Sequence, residues 1–539
     1  MNGFVNWDDD VLVLDNDDIR NLDAESLEAF FTEYYVGHYH PLTMLSYALD
    51  YQAGEYDAGV YHSHNLLLHL LNCIIVFFIA YLLLNSYFAS FLVALLFLSH
   101  PMRVESVAWI AERKDVLFSF YYLMAILTYL LHFVRKRKGL LLALTGLFFS
   151  MSLLAKMSAV SLPLVLLAID YYKNGNIKAR MILKLAPFFL VSIIAGLFTL
   201  YVLKETGSVH DAGYDYSFAD KIVMPFYATA FYLMKVIYPF GLSPAYFFEP
   251  KDGGFLPLLY YIAPLLVAAI IALIFKIKKY RKDLIFAFWI FLATLALFLQ
   301  VVPSGRVLMA DRYTYLPFLG IFFLIGRVYV ILKEKRLKKA EYAFYFICAI
   351  LITVYSVSTT MRISIWRSGE SLFTEMIIKN PGNTLGYVNR GIAKYYGFTR
   401  SNMANLPGAV EDFNAALKLD PNEKNALFNR GNSLYMLGDF KNAYSDFDAV
   451  IKLDSAYAKA WNNRGLILSR FYKDSLAIAD FNMALELNSE YAEARLNRGI
   501  SWHNISQNDK ACSDWRRAAD QGNQRAAQLL SQYCNKTGR

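Results

Sequence analysis

Residues 60 to 361 are a run of apolar segments broken only by short charged or turn-forming stretches, and everything after them is polar and regular. A segment of about 20 mostly apolar residues matches the hydrocarbon thickness of a bilayer. Inside a bilayer the backbone must satisfy its own hydrogen bonds, which leaves the α-helix as the form such segments take. Spans are predicted near 62–84, 87–99, 116–134, 139–155, 159–171, 181–203, 256–275, 284–302, 313–332 and 343–361, about ten in all. The short ones predict paired or buried segments. The chain's 539 residues are 56% hydrophobic and 18% charged, with mean hydropathy +0.31. A soluble protein would carry nearer a quarter charged.

The net charge of +8 comes from basic runs between apolar segments: Arg135 to Lys138, Lys276 to Lys282, and Lys333 to Lys339. Runs of this kind at span ends mark cytoplasmic loops, which excludes nucleic acid as their partner. The apolar stretch 223–238 is read as an interfacial or re-entrant helix, because counting it as a span would put Lys276 to Lys282 on the other side. Everything before residue 62 then faces outside, with the loops 100–115, 204–222, 239–255 and 303–312 and all that follows residue 361. An outer segment of this length normally follows an anchoring helix, so a first span is expected to be missing from the chain as given.

The C-terminal third repeats itself. Asn389-Arg390-Gly391 recurs as Asn429-Arg430-Gly431, Asn463-Arg464-Gly465 and Asn497-Arg498-Gly499. Ala409, Ala443, Ala477 and Ala511 stand thirty-four residues apart, as do Phe413, Phe447, Phe481 and Trp515. That period is the tetratricopeptide repeat (TPR), a helix pair whose glycine and alanine allow close approach while the aromatic fills the gap. The first repeat carries an extended turn around Gly397–Pro407, and Ser371 to Asn380 reads as a lone second helix ahead of it. TPR stacks present concave grooves for peptides and need a polar terminal cap, here 523–534. Cys512 and Cys534 pair if this part faces an oxidising compartment. Cys73 and Cys348, inside apolar segments, read as inert core thiols.

Three stretches carry chemistry. Phe4-Val5-Asn6-Trp7-Asp8-Asp9-Asp10 sets three carboxylates behind an aromatic residue just before the membrane region. Packed like charges raise one another's pKa, or gather a cation or a hydroxyl proton; charge pattern alone favours an idle, solvated acidic terminus. His100 to Asp115 is dense in charge between two spans, and Lys156 and Asp311-Arg312-Tyr313 are further charges at apolar boundaries. Ionisable groups at membrane depth are costly and mark function. Carboxylates beside Arg and Lys suit a phosphate leaving group next to a general base. Arg103 and Glu112 read instead as snorkelling or ion-paired side chains. His38, His40, His62 and His64 read as satisfied interfacial groups ahead of a metal site.

Together these residues resemble the transmembrane and TPR O-mannosyltransferases, of the GT-C glycosyltransferase class. The resemblance runs through Phe4 to Asp9, Tyr39-His40-Pro41-Leu42, His64 to Asn72, His100-Pro101 with Glu105, Arg113, Asp115, Lys156, Arg312-Tyr313 with Leu316-Pro317, and the TPR array. It implies an all-α fold: a first outer loop (1–61), a polytopic GT-C-like domain (62–361) and an extracytoplasmic TPR solenoid (362–539) of about four repeats with a leading half-repeat and a cap. It also implies inverting transfer of a sugar, mannose by analogy, from a polyprenyl-phosphate lipid to a Ser or Thr hydroxyl of a protein in the TPR groove. Asp8 or Asp9 would be the base, with Asp10 the neighbouring third carboxylate. Arg113, Lys156 and Arg312 would neutralise the lipid phosphate. Glu105 and Asp115 would orient them, with His40 and Tyr313 in support, and Asp8, Asp9 and Glu105 would hold a divalent cation such as Mg or Mn. The rival reading is a non-enzymatic membrane-anchored TPR scaffold for envelope assembly, which needs one or two spans and no charged outer loops. A transporter is disfavoured, because no symmetrical broken-helix halves are visible.

Overall fold

A computed structural model describes residues 2–207, 216–300, 307–398 and 403–534. The expected outer loops 204–222 and 303–312, the end of the expected span 284–302 and the long turn 397–407 lie partly outside the described residues. The chain forms two units, Met1–Glu375 and Met376–Arg539, each with its own contacts. Both are helical; the one sheet among the described residues pairs Tyr246–Phe247 with Val307–Met309, antiparallel.

Among the described residues of the first unit six helices are long and apolar enough to cross a membrane: Ala58–Leu84, Ile110–Val134, Lys138–Ala155, Ala179–Glu205, Leu258–Lys276 and Lys338–Arg367. They fit a multi-pass membrane protein. Tyr87–Ser99 and Pro101–Ala108 make a seventh only if taken as one span bent by 58°. Other expected spans fall on shorter helices. Leu162–Asn174, Arg281–Leu295 and Phe318–Glu334 have 13, 15 and 17 residues. At 1.5 Å per residue they reach roughly 20 to 26 Å, short of the ~30 Å hydrocarbon core. Prolines at their starts and 3-10 turns at their ends stop them: Pro163 and Pro317, Met157–Ser161 and Ala296–Phe298. The 223–238 stretch lies in the helix Phe218–Ile237, which is not among the apolar candidates. The acidic region before residue 62 folds into short helices, Ala24–Thr32 and Pro41–Gly54 among them.

The unit has two chemically different ends. Lys184 meets Asp170 at 3.0 Å, Tyr172 donates to Asp283 at 3.0 Å, Arg327 reaches Asp283 at 3.2 Å, and the Lys335 ammonium lies 5.6 Å from the Tyr280 ring. These contacts gather the connections that carry the basic runs at one end. Arg113–Val134 starts in the charged loop and ends among the basic connections, about 33 Å away along its axis. The charged loop and the acidic N-terminal segment thus belong to the opposite end.

In the second unit the repeats pair as read from the sequence: Thr384–Tyr396 with Leu406–Leu419, Lys424–Met436 with Phe440–Leu453, Ala458–Arg470 with Asp474–Leu487, and Ala492–Asn504 with Asn508–Asp520. The glycine in each first helix sits under its own repeat's aromatic. A Cβ on Gly391, Gly431, Gly465 or Gly499 would come within 2.5 to 2.8 Å of Phe413, Phe447, Phe481 or Trp515. Each arginine after the repeated asparagine works as a clamp. Arg464 binds Asp480 of its own repeat through two nitrogens at 2.8 and 2.7 Å, and Asp448 of the preceding repeat at 2.6 Å. Arg430 and Arg498 do the same with Asp446 and Asn414, and with Asp514 and Asn482.

Cys512 and Cys534 form a disulfide, with Cα atoms 5.7 Å apart, that fastens the terminal helix Gln524–Tyr533 to Asn508–Asp520. It closes a loop of 22 residues, for which chain entropy gives about 3 kcal/mol. Cys534→Ser is expected to lower the unfolding temperature of the array by that equivalent. Thermal unfolding with and without reductant checks it, since reductant should bring the wild type down to the variant and leave the variant unmoved.

Candidate functional site

The acidic segment is held by its neighbours, side chain by side chain. Asp9 is buried, and its two carboxylate oxygens accept from Val5 N at 2.9 Å and Ala111 N at 2.8 Å. Trp7 stacks on Trp109 (5.1 Å between centroids), and Trp109 on Trp366 (5.3 Å). Gly3 N donates to Arg367 O at 3.0 Å, and the Phe4 ring meets Tyr61 edge-on. Asp8 is thereby placed at the mouth of the charged loop.

That loop folds inward instead of lying in water. His100 Nδ1 caps the 3-10 turn Pro101–Arg103, Val104–Ala108 and Ile110–Glu112 follow, and residues 101–106 and 109–119 are buried. Three carboxylates lie at the bottom with cations above them. Glu105 accepts from the Arg312 backbone N–H at 3.0 Å and pairs with its guanidinium. Glu112 meets Lys114 at 3.4 Å, Lys156 at 3.6 Å and Arg312 Nε at 3.3 Å. Asp115 receives Lys156 Nζ at 2.5 Å and the Ser106 hydroxyl at 3.0 Å. The carboxylates are at most 3% exposed, while the Lys156 and Arg312 side chains keep 18% and 15%. The cations are therefore the groups presented outward. A small cleft opens beside Arg312, lined by Asp115 and Arg312, the hydroxyls Ser158 and Ser161, and Tyr313 stacked on Phe298 at 4.6 Å.

The three N-terminal carboxylates separate by environment. Burial pushes the Asp8 carboxyl up to about 6, with Lys114 and Arg312 pulling down and Glu112 pushing up. Burial takes Asp9 up to about 8 against the pull of its two backbone N–H partners. Burial also raises Asp10, whose charged neighbour is Asp15 and not the cationic group. Asp8 is the one that feels Lys114, Glu112 and Arg312 and remains partly exposed.

Of the residues singled out in the sequence, Glu105, Asp115, Lys156, Arg312 and Tyr313 come together, with Asp8 in electrostatic reach. Arg113 does not join them. Its guanidinium is 1% exposed, paired with Asp50, and donates to Asn65 Oδ1 at 2.6 Å and Tyr61 O at 2.7 Å, which leaves nothing for a phosphate. Lys114 faces the cluster instead. Asp8, Asp9 and Glu105 do not make a ligand set: Asp9 is occupied by backbone and Glu105 by Arg312. Among the described residues no group of three or more His, Cys, Asp or Glu could hold a metal ion. His64 pairs with Asp50 and His62 contacts Gly3 O at 3.4 Å, but His40 is buried with neither ring nitrogen bonded. Burial, with Lys114 next, holds His40 well below the usual imidazole range.

Lys114 and Asp50 are the residues that sequence reasoning passed over. Glu112 is indeed ion-paired, as read, but at the centre of the site. Asp50 stands as one carboxylate in the otherwise uncharged helix Pro41–Gly54, a signal that was available.

No family model matches the chain. The chain is similar to protein O-mannosyl-transferases. It is 34% identical to Tmtc1 of Drosophila melanogaster over 125 residues, 23% of this chain and 14% of that protein. It is 31% identical to human TMTC2 over 150 residues (27% and 18%) and 31% identical to human TMTC3 over 137 residues (24% and 14%). The match thus spans less than a fifth of those relatives' length. Among solved structures, a crystal structure of MamA covers 30% of this chain and 90% of its own at 17% identity, and YrrB, a TPR protein, covers 30% and 81% at 23%; both have a TM-score of 0.26. At that score the likeness carries no argument, and the TPR assignment rests on the helix pairs themselves.

Breaking a buried ion pair from one side leaves an uncompensated charge and costs about 3–5 kcal/mol. Arg113→Leu is expected to destabilise the first unit by that amount through Asp50, and Arg113→Leu with Asp50→Leu to recover most of it. Unfolding temperatures in detergent check both.

Proposed function

We propose that this chain is a membrane glycosyltransferase that moves a sugar, mannose by analogy with its relatives, from a polyprenyl-phosphate lipid to a Ser or Thr hydroxyl. The observation that carries the reading is the set of cations, Lys156 and Arg312 with Lys114, raised on buried carboxylates within reach of the partly exposed Asp8. In this scheme Asp8 accepts the hydroxyl proton as the oxygen attacks the anomeric carbon. The bond from that carbon to the phosphate oxygen breaks on the opposite face, and the phosphate leaves with the electron pair. Lys156, Arg312 and Lys114 neutralise it. Glu105, Glu112 and Asp115 fix the cations in place, so no reorganisation is needed as charge develops. Asp9 holds the backbone that carries Asp8.

The segregation of basic connections to the other end of the first unit supports an extracytoplasmic site under the positive-inside rule. The Cys512–Cys534 disulfide supports an oxidising environment for the TPR array, which in this reading holds the acceptor protein. The similarity to protein O-mannosyl-transferases over about a quarter of the chain supports the reaction class.

Asp8→Asn is expected to cut transfer from lipid-linked sugar in membranes by about 10²–10⁴-fold, the usual worth of a positioned base. Asp9→Asn is expected to lower yield and stability first. Full transfer by the Asp8 variant would remove Asp8 from the mechanism. A base must be ionised to take a proton, so kcat/KM should fall as pH drops through about 6, following the raised Asp8 carboxyl. A pH–rate profile on native membranes checks this, and the acid limb should vanish from the residual activity of Asp8→Asn.

A further inference from the structure

Arg103 is the buried charge that the chemistry above leaves unused. It ends the 3-10 turn Pro101–Arg103 and is 2% exposed, so it does not snorkel. One guanidinium nitrogen donates to Thr314 Oγ1 at 3.3 Å; Nε and Nη2 have no hydrogen-bond partner. Among the described residues no carboxylate forms an ion pair with it. Three rings surround it instead, Phe97 at 4.8 Å, Tyr315 at 5.2 Å and Phe318 at 5.4 Å. Ring faces attract a cation but do not cancel its charge. An unpaired buried charge is expensive, and at membrane depth such groups mark function.

Its neighbour Tyr315 is shared between two sites. The ring covers Arg103 and also lines the cleft that holds Asp115 and Arg312. The hydroxyl is fixed by His69 at 2.7 Å and Asn72 at 3.1 Å, so this wall is rigidly held. The two charges that line the cleft, Asp115 and Arg312, are of opposite sign. Arg103 adds a positive charge behind the Tyr315 ring, where low polarity and exclusion of salt leave it weakly screened.

We propose that Arg103 is a positioning residue for an anionic lipid phosphate, its uncompensated charge drawing the phosphate into the Tyr315-walled cleft without touching it. The inference rests on the lipid-phosphate reading above, and its test separates the two. Farnesyl phosphate and farnesol serve as probes on the detergent-purified full chain, with binding and unfolding temperature measured for each variant. The wild type should bind farnesyl phosphate, less tightly at high salt, and farnesol weakly. Arg103→Met should weaken farnesyl phosphate binding about tenfold or more while its unfolding temperature holds or rises. Arg103→Lys should stay within about threefold of the wild type. Cys73→Asp, which sets a carboxylate beside Arg103, should weaken binding as Arg103→Met does, and it decides the matter if Arg103→Met does not fold. Wild-type binding by Arg103→Met or Cys73→Asp overturns the role of Arg103 and leaves the lipid-phosphate reading standing. Equal wild-type affinity for farnesol and farnesyl phosphate overturns that reading, and the role of Arg103 with it.

Discussion

The arrangement at the charged end depends on Glu112. Its carboxylate lies where Lys114, Lys156 and Arg312 converge, and without it three cations would face one another across a few ångströms in a poorly polar interior. Like charges at that range repel strongly when water is excluded. Glu105 and Asp115 each take one of the three, but Glu112 is common to all of them. The elements they come from are the start of the helix Arg113–Val134, the connection at Lys156 and the turn at Arg312, far apart in sequence. The shared carboxylate therefore also sets how those three connections dock. A site built in this way is preorganised: its cations are already oriented.

The N-terminal segment is fixed by different means. Aromatic stacking from Trp7 through Trp109 to Trp366, with the Asp9 carboxylate bridging Val5 and Ala111, ties it to the body of the first unit. Adjacent aspartates consequently do unlike work. Asp9 is a backbone fastener, Asp8 reaches the cations, and Asp10 begins the next turn.

Much of this was legible in the sequence. The helix positions followed from apolar run length, and the TPR pairs from a fixed thirty-four-residue period. Most of the cluster could be named from charges at apolar boundaries. What was hidden shares one cause. Whether Arg113 or Lys114 faces the cleft depends on how the turn Ile110–Glu112 feeds the helix, a rotation that adjacent like charges do not encode. Glu112 looks the same in sequence whether it meets one cation or three. Several expected spans fall on short helices such as Leu162–Asn174 and Arg281–Leu295, because a run of apolar residues does not report where 3-10 turns break it. The pairing of Cys512 with Cys534 needed the terminal helix to fold back, which a count of cysteines leaves open.

The arginine clamp of the second unit also bears on how such a chain can change. Arg430, Arg464 and Arg498 each reach sixteen residues forward to an aspartate and sixteen back to an acceptor in the previous repeat, while Arg390 reaches Asp412 across the longer first repeat. The joint between neighbours is thus nearly the same at each step, and the disulfide-fastened end is separate from it. A duplicated thirty-four-residue unit would arrive carrying both halves of its own joint. The array can lengthen or shorten by gene duplication and deletion without remaking either end, so its length is free to vary while the membrane unit stays constant.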